Sequence, residues 1–441
     1  MIQLDVTIVN VTLPSIQRAL AVSPGRLVWT VNAYVLPLAS LILVGGTLGD
    51  RYGRKRVFLL GFVLFTVFSV GCALSSSATM LIVFRALQGV GAALLAPSSL
   101  SILTHAYGSE RRPWAIGMWA TISGLGFGMG PVIAGLLLRL FDWPAIFWVN
   151  VPIGIAGTLV TARYVRESSN PRARRLDLAG AALVSSALFC LTFALVQTDQ
   201  HDWLSVFTLG FLGAAAVLAA AFLVYEARHQ DPMLPLAFFR RRAFTIANVD
   251  FMLAYAALAA TLFFVSLYFQ NVQGYTPLQT GISWLAMNIP FLSMAAFAGR
   301  LQARFGPRRV VVVGLTVGAL GILGFTLLGV DSTYALAFPG YVLFGAGYGT
   351  AIPAISSIAM GAIEVEQAGT ASGVLNAARQ VGYAVGLPAL SALGAAVAVG
   401  PWSDPQAFVV AMRVALAVGG SLVLVAALVT ALDRPAAAGA G

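Results

Sequence analysis

Many of the uncharged apolar runs in this sequence are as long as a bilayer is thick. A helix needs about 20 residues to cross roughly 30 Å of hydrocarbon, and residues 28–49 and 57–76 supply that length without one charged side chain. So many runs of this kind cannot be buried in one water-soluble core. Charged residues make up 10% of the chain, against about 25% in soluble globular domains. Within hydrocarbon every backbone N–H and C=O must be satisfied internally, which helices do by themselves. The expected fold class is therefore an all-α polytopic membrane protein. The runs predict fourteen helices, at 2–20, 28–49, 57–76, 78–103, 113–138, 144–165, 177–197, 204–226, 243–270, 277–298, 309–329, 333–360, 369–398 and 406–431.

The cations orient the chain. Lys and Arg accumulate in short cytoplasmic loops, and the loops after helices 2, 4, 6, 8 and 10 hold Arg51, Arg54, Lys55, Arg56, Arg111, Arg112, Arg163, Arg166, Arg172, Arg174, Arg175, Arg228, Arg240, Arg241, Arg242, Arg300, Arg304, Arg308 and Arg309, nineteen of the 26 basic residues. The opposite side has Arg18, Arg26 and Arg139 beside acids such as Asp199, Asp202, Asp331 and Asp404. Both termini are expected in the cytoplasm, and the formal net charge of +10 reports topology. Nucleic acid is not an expected partner, because no polar domain carries a basic patch. Cys72 and Cys190 fall within apolar runs and suggest packing, not a disulfide or metal site. His105, His201 and His229 lack metal spacing. No cleavable signal precedes the first run.

An internal repeat sets the architecture. Gly46-x-Leu48-x-x-Arg51-Tyr52-Gly53-x-Lys55-Arg56 recurs as Gly299-x-Leu301-x-x-Arg304-Phe305-Gly306-x-Arg308-Arg309, Gly89-x-Gly91-x5-Pro97 as Gly345-x-Gly347-x5-Pro353, and Gly117-x8-Gly126-x3-Gly130 as Gly373-x8-Gly382-x3-Gly386. Helices 2, 4 and 5 thus map onto helices 10, 12 and 13, so a six-helix unit is duplicated with helices 7 and 8 inserted. The shift is even, so both copies keep one orientation, a parallel repeat of the kind transporters use to place a substrate cavity between two halves. The expected divisions are 1–166 for the first bundle, with helix 1 short, 167–242 for the inserted pair and its linkers, 243–432 for the second bundle and 433–441 for a cytoplasmic tail.

The loop Gly46-Thr47-Leu48-Gly49-Asp50-Arg51-Tyr52-Gly53-Arg54-Lys55-Arg56 combines glycines for a tight turn, cations for headgroups and one acid that topology alone does not need. It resembles the loop signature of the major facilitator superfamily, G-x-L-a-D-R-x-G-R-K. The resemblance covers essentially the whole chain, and the 6+2+6 helix count is similar to the fourteen-helix drug:proton antiporter branch. It implies a cytoplasmic latch at Gly46, Asp50, Arg51, Gly53 and Arg54. The second copy has Ala303 at the place of Asp50.

Leu4-Asp5-Val6-Thr7-Ile8-Val9-Asn10-Val11-Thr12-Leu13-Pro14 resembles that branch's first-helix signature, L-D-x-T-I-V-N-V-A-L-P. A carboxylate in a span costs about 2.5–3.5 kcal/mol on insertion scales, and protonation removes that cost, so Asp5 is the leading proton-coupling candidate. The alternative is an acid near the start of a helix, frayed and solvated. Arg85 interrupts the apolar run of helix 4 and needs a counter-charge; Arg85-x-x-x-Gly89-x-Gly91 resembles the family's R-x-x-x-G-x-G motif, which implies an Asp5–Arg85 pair. Snorkelling to the interface is the alternative. Gly117, Gly126, Gly130, Pro131 and Gly135 in helix 5 resemble the antiporter signature of exporters, although Ala134 stands where glycine is usual and Trp143-Pro144-Ala145-Ile146-Phe147 departs from W-R-W-I-F.

Asp250 is a second candidate for proton coupling, against an interfacial acid satisfied by Asn248 or water. Arg379, Tyr34, Trp119 and Trp284 are weaker candidates for the substrate cavity, against ordinary packing and interface anchoring. The expected function is proton-coupled efflux of small amphipathic or cationic molecules from a bacterial inner membrane by a monomer, with the proton as coupling ion and no other cofactor. No G-x-x-x-x-G-K-[ST] phosphate loop occurs. The alternatives are a proton-coupled metabolite symporter, a channel and, from another class, a membrane-bound enzyme, for which no catalytic cluster is seen.

Overall fold

The structure, a computed structural model, describes residues 1–107, 112–169, 177–199, 201–364, 367–398 and 400–433. They form helices α1 (Ile2–Leu20), α2 (Pro24–Tyr52), α3 (Arg54–Ala73), α4 (Ala78–Ala106), α5 (Arg112–Leu140), α6 (Ala145–Tyr164), α7 (Leu178–Val196), α8 (Val206–Arg228), α9 (Arg242–Val272), α10 (Pro277–Phe305), α11 (Pro307–Leu327), α12 (Tyr334–Gly361), α13 (Ala368–Val397) and α14 (Pro405–Leu432). Among the described residues thirteen helices are long and apolar enough to cross a membrane. The fourteenth, α1, is long enough but carries Asp5, Asn10 and Arg18, and it is enclosed by its neighbours, with Ile8, Val11, Leu13 and Ile16 wholly buried. Conversely α8 turns apolar side chains outward, Val217 being 68% exposed, as suits a helix whose solvent is lipid. The chain is a multi-pass membrane protein.

Several helices outrun their apolar stretches. α2 and α10 continue to Tyr52 and Phe305, because arginine ends extend to the headgroup layer without leaving the helix. α6, expected to be continuous, breaks at Val149 into Ala145–Trp148 and Asn150–Tyr164. Pro152 has no N–H for the carbonyl four residues earlier. α9 ends in a π-turn at Tyr268–Val272, and α10 is interrupted at Trp284.

The duplication is visible in the packing. A side chain at Gly91 would meet Phe65 N at 2.7 Å and Gly61 O at 3.2 Å. In the second copy Gly347 lies in the same way against Gly314 and Gly318. Gly126 and Gly130 of α5 face Leu4 and Thr7 of α1, as Gly382 and Gly386 of α13 face Met252 and Ala256 of α9. The basic loops share a capping device too. Lys55 Nζ donates to Ala162 O at the end of α6 at 2.8 Å, and Arg308 donates to Thr430 O and Ala431 O at the end of α14 at 2.8 and 2.6 Å, cations meeting the negative ends of helix dipoles.

The two bundles meet along α2–α13, α5–α10 and α1–α9. Asn32 Nδ2 donates to Ala384 O at 2.9 Å, Asn288 Nδ2 to Gly128 O at 2.8 Å, Gln270 Nε2 to Val11 O at 2.8 Å and Asn10 Nδ2 to Tyr383 Oη at 3.5 Å. Among the described residues these hydrogen bonds between bundles lie at mid-helix or toward the face opposite the basic loops. Gly281 of α10 presses on the Pro131 carbonyl of α5, and Gly135 on Pro277 and Leu278. The bundles are therefore closed against each other on that face.

Candidate functional site

Five helices of the first bundle converge on one carboxylate. Asp5 is wholly buried and Arg85 is 1% exposed. Arg85 Nη1 donates to Asp5 Oδ2 in a buried ion pair. Gln88 Nε2 and Asn150 Nδ2 donate to the other oxygen, Oδ1, at 3.1 and 3.2 Å. Gln88 in turn accepts from Arg85 at 2.7 Å and donates to Ser69 Oγ at 2.8 Å. Arg85 Nε reaches the Thr30 carbonyl at 3.3 Å, and the guanidinium lies over the Tyr34 ring, 4.3 Å from its centroid, with Phe147 at 5.7 Å. Asp5 is not frayed, and Arg85 does not snorkel.

This connectivity determines what the site can do. A buried pair is tolerated when its remaining hydrogen-bonding capacity is met, and Asp5 has donors on both oxygens. Adding a proton to Asp5 removes the counter-charge of Arg85, leaving a cation among aromatic rings and amides. The positions fit one turn of each helix: Gln88 follows Arg85 by three residues and so shares its face of α4, and the break in α6 presents Asn150 at the start of its second segment. Gln88, Asn150, Ser69 and Thr30 were not among the sequence candidates. The Arg85–Gln88 spacing is the one signal that could have found Gln88.

Among the described residues the second bundle has no counterpart of this cluster. The register that relates Gly89 to Gly345 puts Tyr341 at Arg85 and Phe344 at Gln88. Tyr341 is wholly buried, its ring 5.0 Å from Trp284 and from Phe325. The polar cluster thus occupies one repeat and an aromatic cluster the other.

The other candidates are dispersed. Asp250, 1% exposed, points from α9 into the contact with α14, where Thr430 Oγ1 donates to Oδ2 at 2.7 Å and Oδ1 has no partner among the described residues. Asn248 is not its partner but donates to Phe244 O. Arg379 lies over Tyr255 and Phe251, at 4.9 and 5.8 Å, and donates to Asn376 Oδ1 at 3.3 Å. Trp119 donates to Ser99 Oγ at 3.2 Å. Trp284 corrects the cavity expectation: it is 1% exposed and donates to Ser266 Oγ at 3.2 Å within the second bundle, so it is a packing residue. Tyr34 serves Arg85, since its face is taken by the guanidinium.

In the basic turn Asp50 pairs with Arg54 at 2.8 Å, while Arg51 lies over the neighbouring Tyr52 ring. Gly53 has φ +110°, and a side chain there would strike the Glu167 carboxylate at 2.7 Å. That carboxylate accepts from Lys55 N and Arg56 N at 3.0 and 3.2 Å, capping α3. Gly46 packs loosely on Pro97. Among the described residues the ion pairs and hydrogen bonds of this turn reach the first bundle and, at Glu167 and Ser168, the start of the linker that leaves it, and none reaches the second bundle, so in this arrangement the turn does not latch the halves together. In α5, Gly126, Gly130 and Pro131 line the contacts with α1 and α10, and Gly135 the contact with α10. Gly117 is helical, and its surroundings lie outside the described residues.

Two parallel six-helix bundles with a charged pair buried in one of them define a secondary-transporter architecture. The sequence model described as Major Facilitator Superfamily matches residues 1–387, and the chain belongs to that family of transporters, not to an enzyme family. It is 37% identical over 397 residues to the multidrug resistance protein Stp of Mycobacterium tuberculosis, covering 90% of this chain and 74% of the relative. It is 34% identical to the tetracenomycin C resistance and export protein of Streptomyces glaucescens, covering 89% and 73%, and 36% identical to the methylenomycin A resistance protein of Streptomyces coelicolor, covering 88% and 82%. Among solved structures, a peptide transporter POT in complex with sulfate superposes with a TM-score of 0.67 at 16% identity, covering 97% of this chain and 92% of that one. At that identity the likeness concerns the fold alone.

Proposed function

We propose that this chain exports small amphipathic or cationic molecules in exchange for protons, by alternating access across a cytoplasmic membrane. Both termini face the cytoplasm in this reading, the chain works as a monomer, and the proton is the coupling ion with no other cofactor. Its relatives, named for multidrug and antibiotic resistance, support the substrate class. The distribution of basic loops supports the orientation. The Asp5–Arg85 pair, buried among five helices, is the observation that carries the coupling.

Breaking a buried ion pair by neutralising one member costs about 3–5 kcal/mol. Moving a two-state equilibrium from 1:99 to 99:1 takes about 5.5 kcal/mol. One proton on Asp5 therefore supplies a large part of what is needed to change the favoured orientation of the bundles, and substrate binding supplies the opposing bias. Gln88 and Asn150 follow the charge of Asp5 because each donates to it, so its protonation loosens α4 and α6 from α1 together.

The test is proton release from detergent-purified protein on adding candidate drugs, with wild type, Asp5→Asn and Asp250→Asn compared. Wild type is expected to release protons and Asp5→Asn to release none while still binding drug. Loss of release in Asp250→Asn as well would make Asp250 a second coupling acid. Drug binding to wild type without proton release would remove the antiport reading.

A further inference from the structure

A second acidic site lies in the inserted hairpin, away from the Asp5 cluster. Asp177 precedes α7, and Glu226 sits near the end of α8. They are 6% and 2% exposed. Each spends one oxygen on backbone: Asp177 Oδ1 accepts from Gly180 N at 2.7 Å, capping α7, and Glu226 Oε2 accepts from Leu234 N at 2.9 Å, holding the linker toward α9. Among the described residues the remaining oxygens, Asp177 Oδ2 and Glu226 Oε1, are buried without a hydrogen-bond partner, and both face the same space. Both border the space over Gly180, where a side chain would come within 2.8 Å of Glu226 Oε1.

Two buried carboxylates facing each other are an unstable arrangement if both are ionised, because they repel and the one described hydroxyl beside them, that of Tyr225, reaches Asp177 alone. One proton between them resolves both problems. No described cation forms an ion pair with either carboxylate. Among the described residues the titratable side chains around them are Tyr225, whose hydroxyl interacts with Asp177, and His229, whose ring stacks on Tyr225 at 5.1 Å; Arg228 is exposed. No group of three or more metal-ligating side chains is found among the described residues.

We propose that Asp177 and Glu226 share one proton, making the basic-loop end of the inserted hairpin a proton-binding site separate from Asp5. The site has a mechanical connection to both bundles. α7 packs on α2, where Trp29 meets Phe189 and Phe193 with ring centroids 6.0 and 6.1 Å apart, and it also packs on α13. Glu226 holds Leu234, and the same linker runs on to Arg241, which donates to Ala362 O at 2.9 Å beyond α12. The proton thus fastens α7 to α8 and both to the strap that enters the second bundle. At alkaline pH its loss makes the carboxylates repel and loosens α7 from α8 beside the strap.

Infrared titration of the purified full chain tests this independently of any drug. Wild type is expected to show protonated-carboxyl absorption at neutral pH that fades as pH rises, and subtracting the spectrum of either Asp177→Asn or Glu226→Gln should leave one such band, that of the shared proton. In each variant the amide donates to the remaining carboxylate, so the clasp stays closed, and hydrogen exchange at the Leu234 segment loses the pH dependence that wild type shows after correction for intrinsic rates. Protonated-carboxyl absorption unchanged from wild type in both variants overturns the proposal. So does a carboxylate signal that responds to sodium in place of protons, which would make the pair a cation site.

Discussion

Arg85→Met is expected to unfold the first bundle far more readily than any other single change to the site, at a cost of about 3–5 kcal/mol, because it leaves Asp5 charged, buried and without a counter-ion. Gln88 and Asn150 still donate to Asp5 Oδ1, but two neutral amides do not replace a guanidinium. Asp5→Leu combined with Arg85→Met should recover most of the thermal stability in detergent, since replacing a whole buried pair by apolar groups is often neutral or stabilising by about 1–4 kcal/mol. The double variant should nevertheless show no drug-induced proton movement and confer no resistance. Stability and transport are thus expected to part company. If the double variant were as unstable as Arg85→Met, the pair would be holding five helices together, and its role would be structural.

Gly281→Ala should change the conformational equilibrium more than the fold. Its new methyl group would strike the Pro131 carbonyl, and backbone on both sides leaves no rotamer to absorb the clash. Overpacking of this kind costs about 1–3 kcal/mol, and the cost falls on the arrangement in which α5 and α10 touch. A shift of that size moves a two-state population by about 5- to 150-fold. Spin labels at Phe141 and Asn271, both exposed, should report a longer distance population in Gly281→Ala and none in Gly299→Ala, whose methyl group would meet nothing within 4 Å. An unchanged distance distribution in folded Gly281→Ala protein would show that this contact does not gate the opposite face.

The sequence conveyed the helices and their duplication well, because a 20-residue apolar run has few alternatives and the glycine spacings recur wherever backbones touch. Charges in spans were legible for the same reason: rarity singled out Asp5 and Arg85. Neutral polar residues carry no such signal, so Gln88, Asn150 and Ser69 passed as ordinary helix residues although they complete the site. Trp284 illustrates the converse. An aromatic side chain in a span does not indicate which way it faces, and this one turned into the second bundle toward Ser266. The partnership of Asp250 with Thr430, and that of Asp177 with Glu226, joins helix positions far apart in the chain that no local spacing connects. The break in α6 was readable from Pro152, yet its use, presenting Asn150 to Asp5, depends on the tertiary contact.

Confining the charged pair to one repeat has an electrical consequence. Asp5 and Arg85 together are neutral, so the proton-free cluster is indifferent to a transmembrane voltage, while the protonated cluster carries one net positive charge inside the bilayer. A full charge crossing the membrane gains about 2.3 kcal/mol per 100 mV, and a charge moving part of the way gains that fraction. Tyr341 and Phe344 stand at the matching positions of the second repeat, so those positions carry no charge to cancel it. Through this cluster a voltage negative inside therefore pulls on the proton-loaded carrier and not on the proton-free one, which would make the reset of the cycle, more than the export of cargo, the step at which the cluster senses the energised state of the membrane.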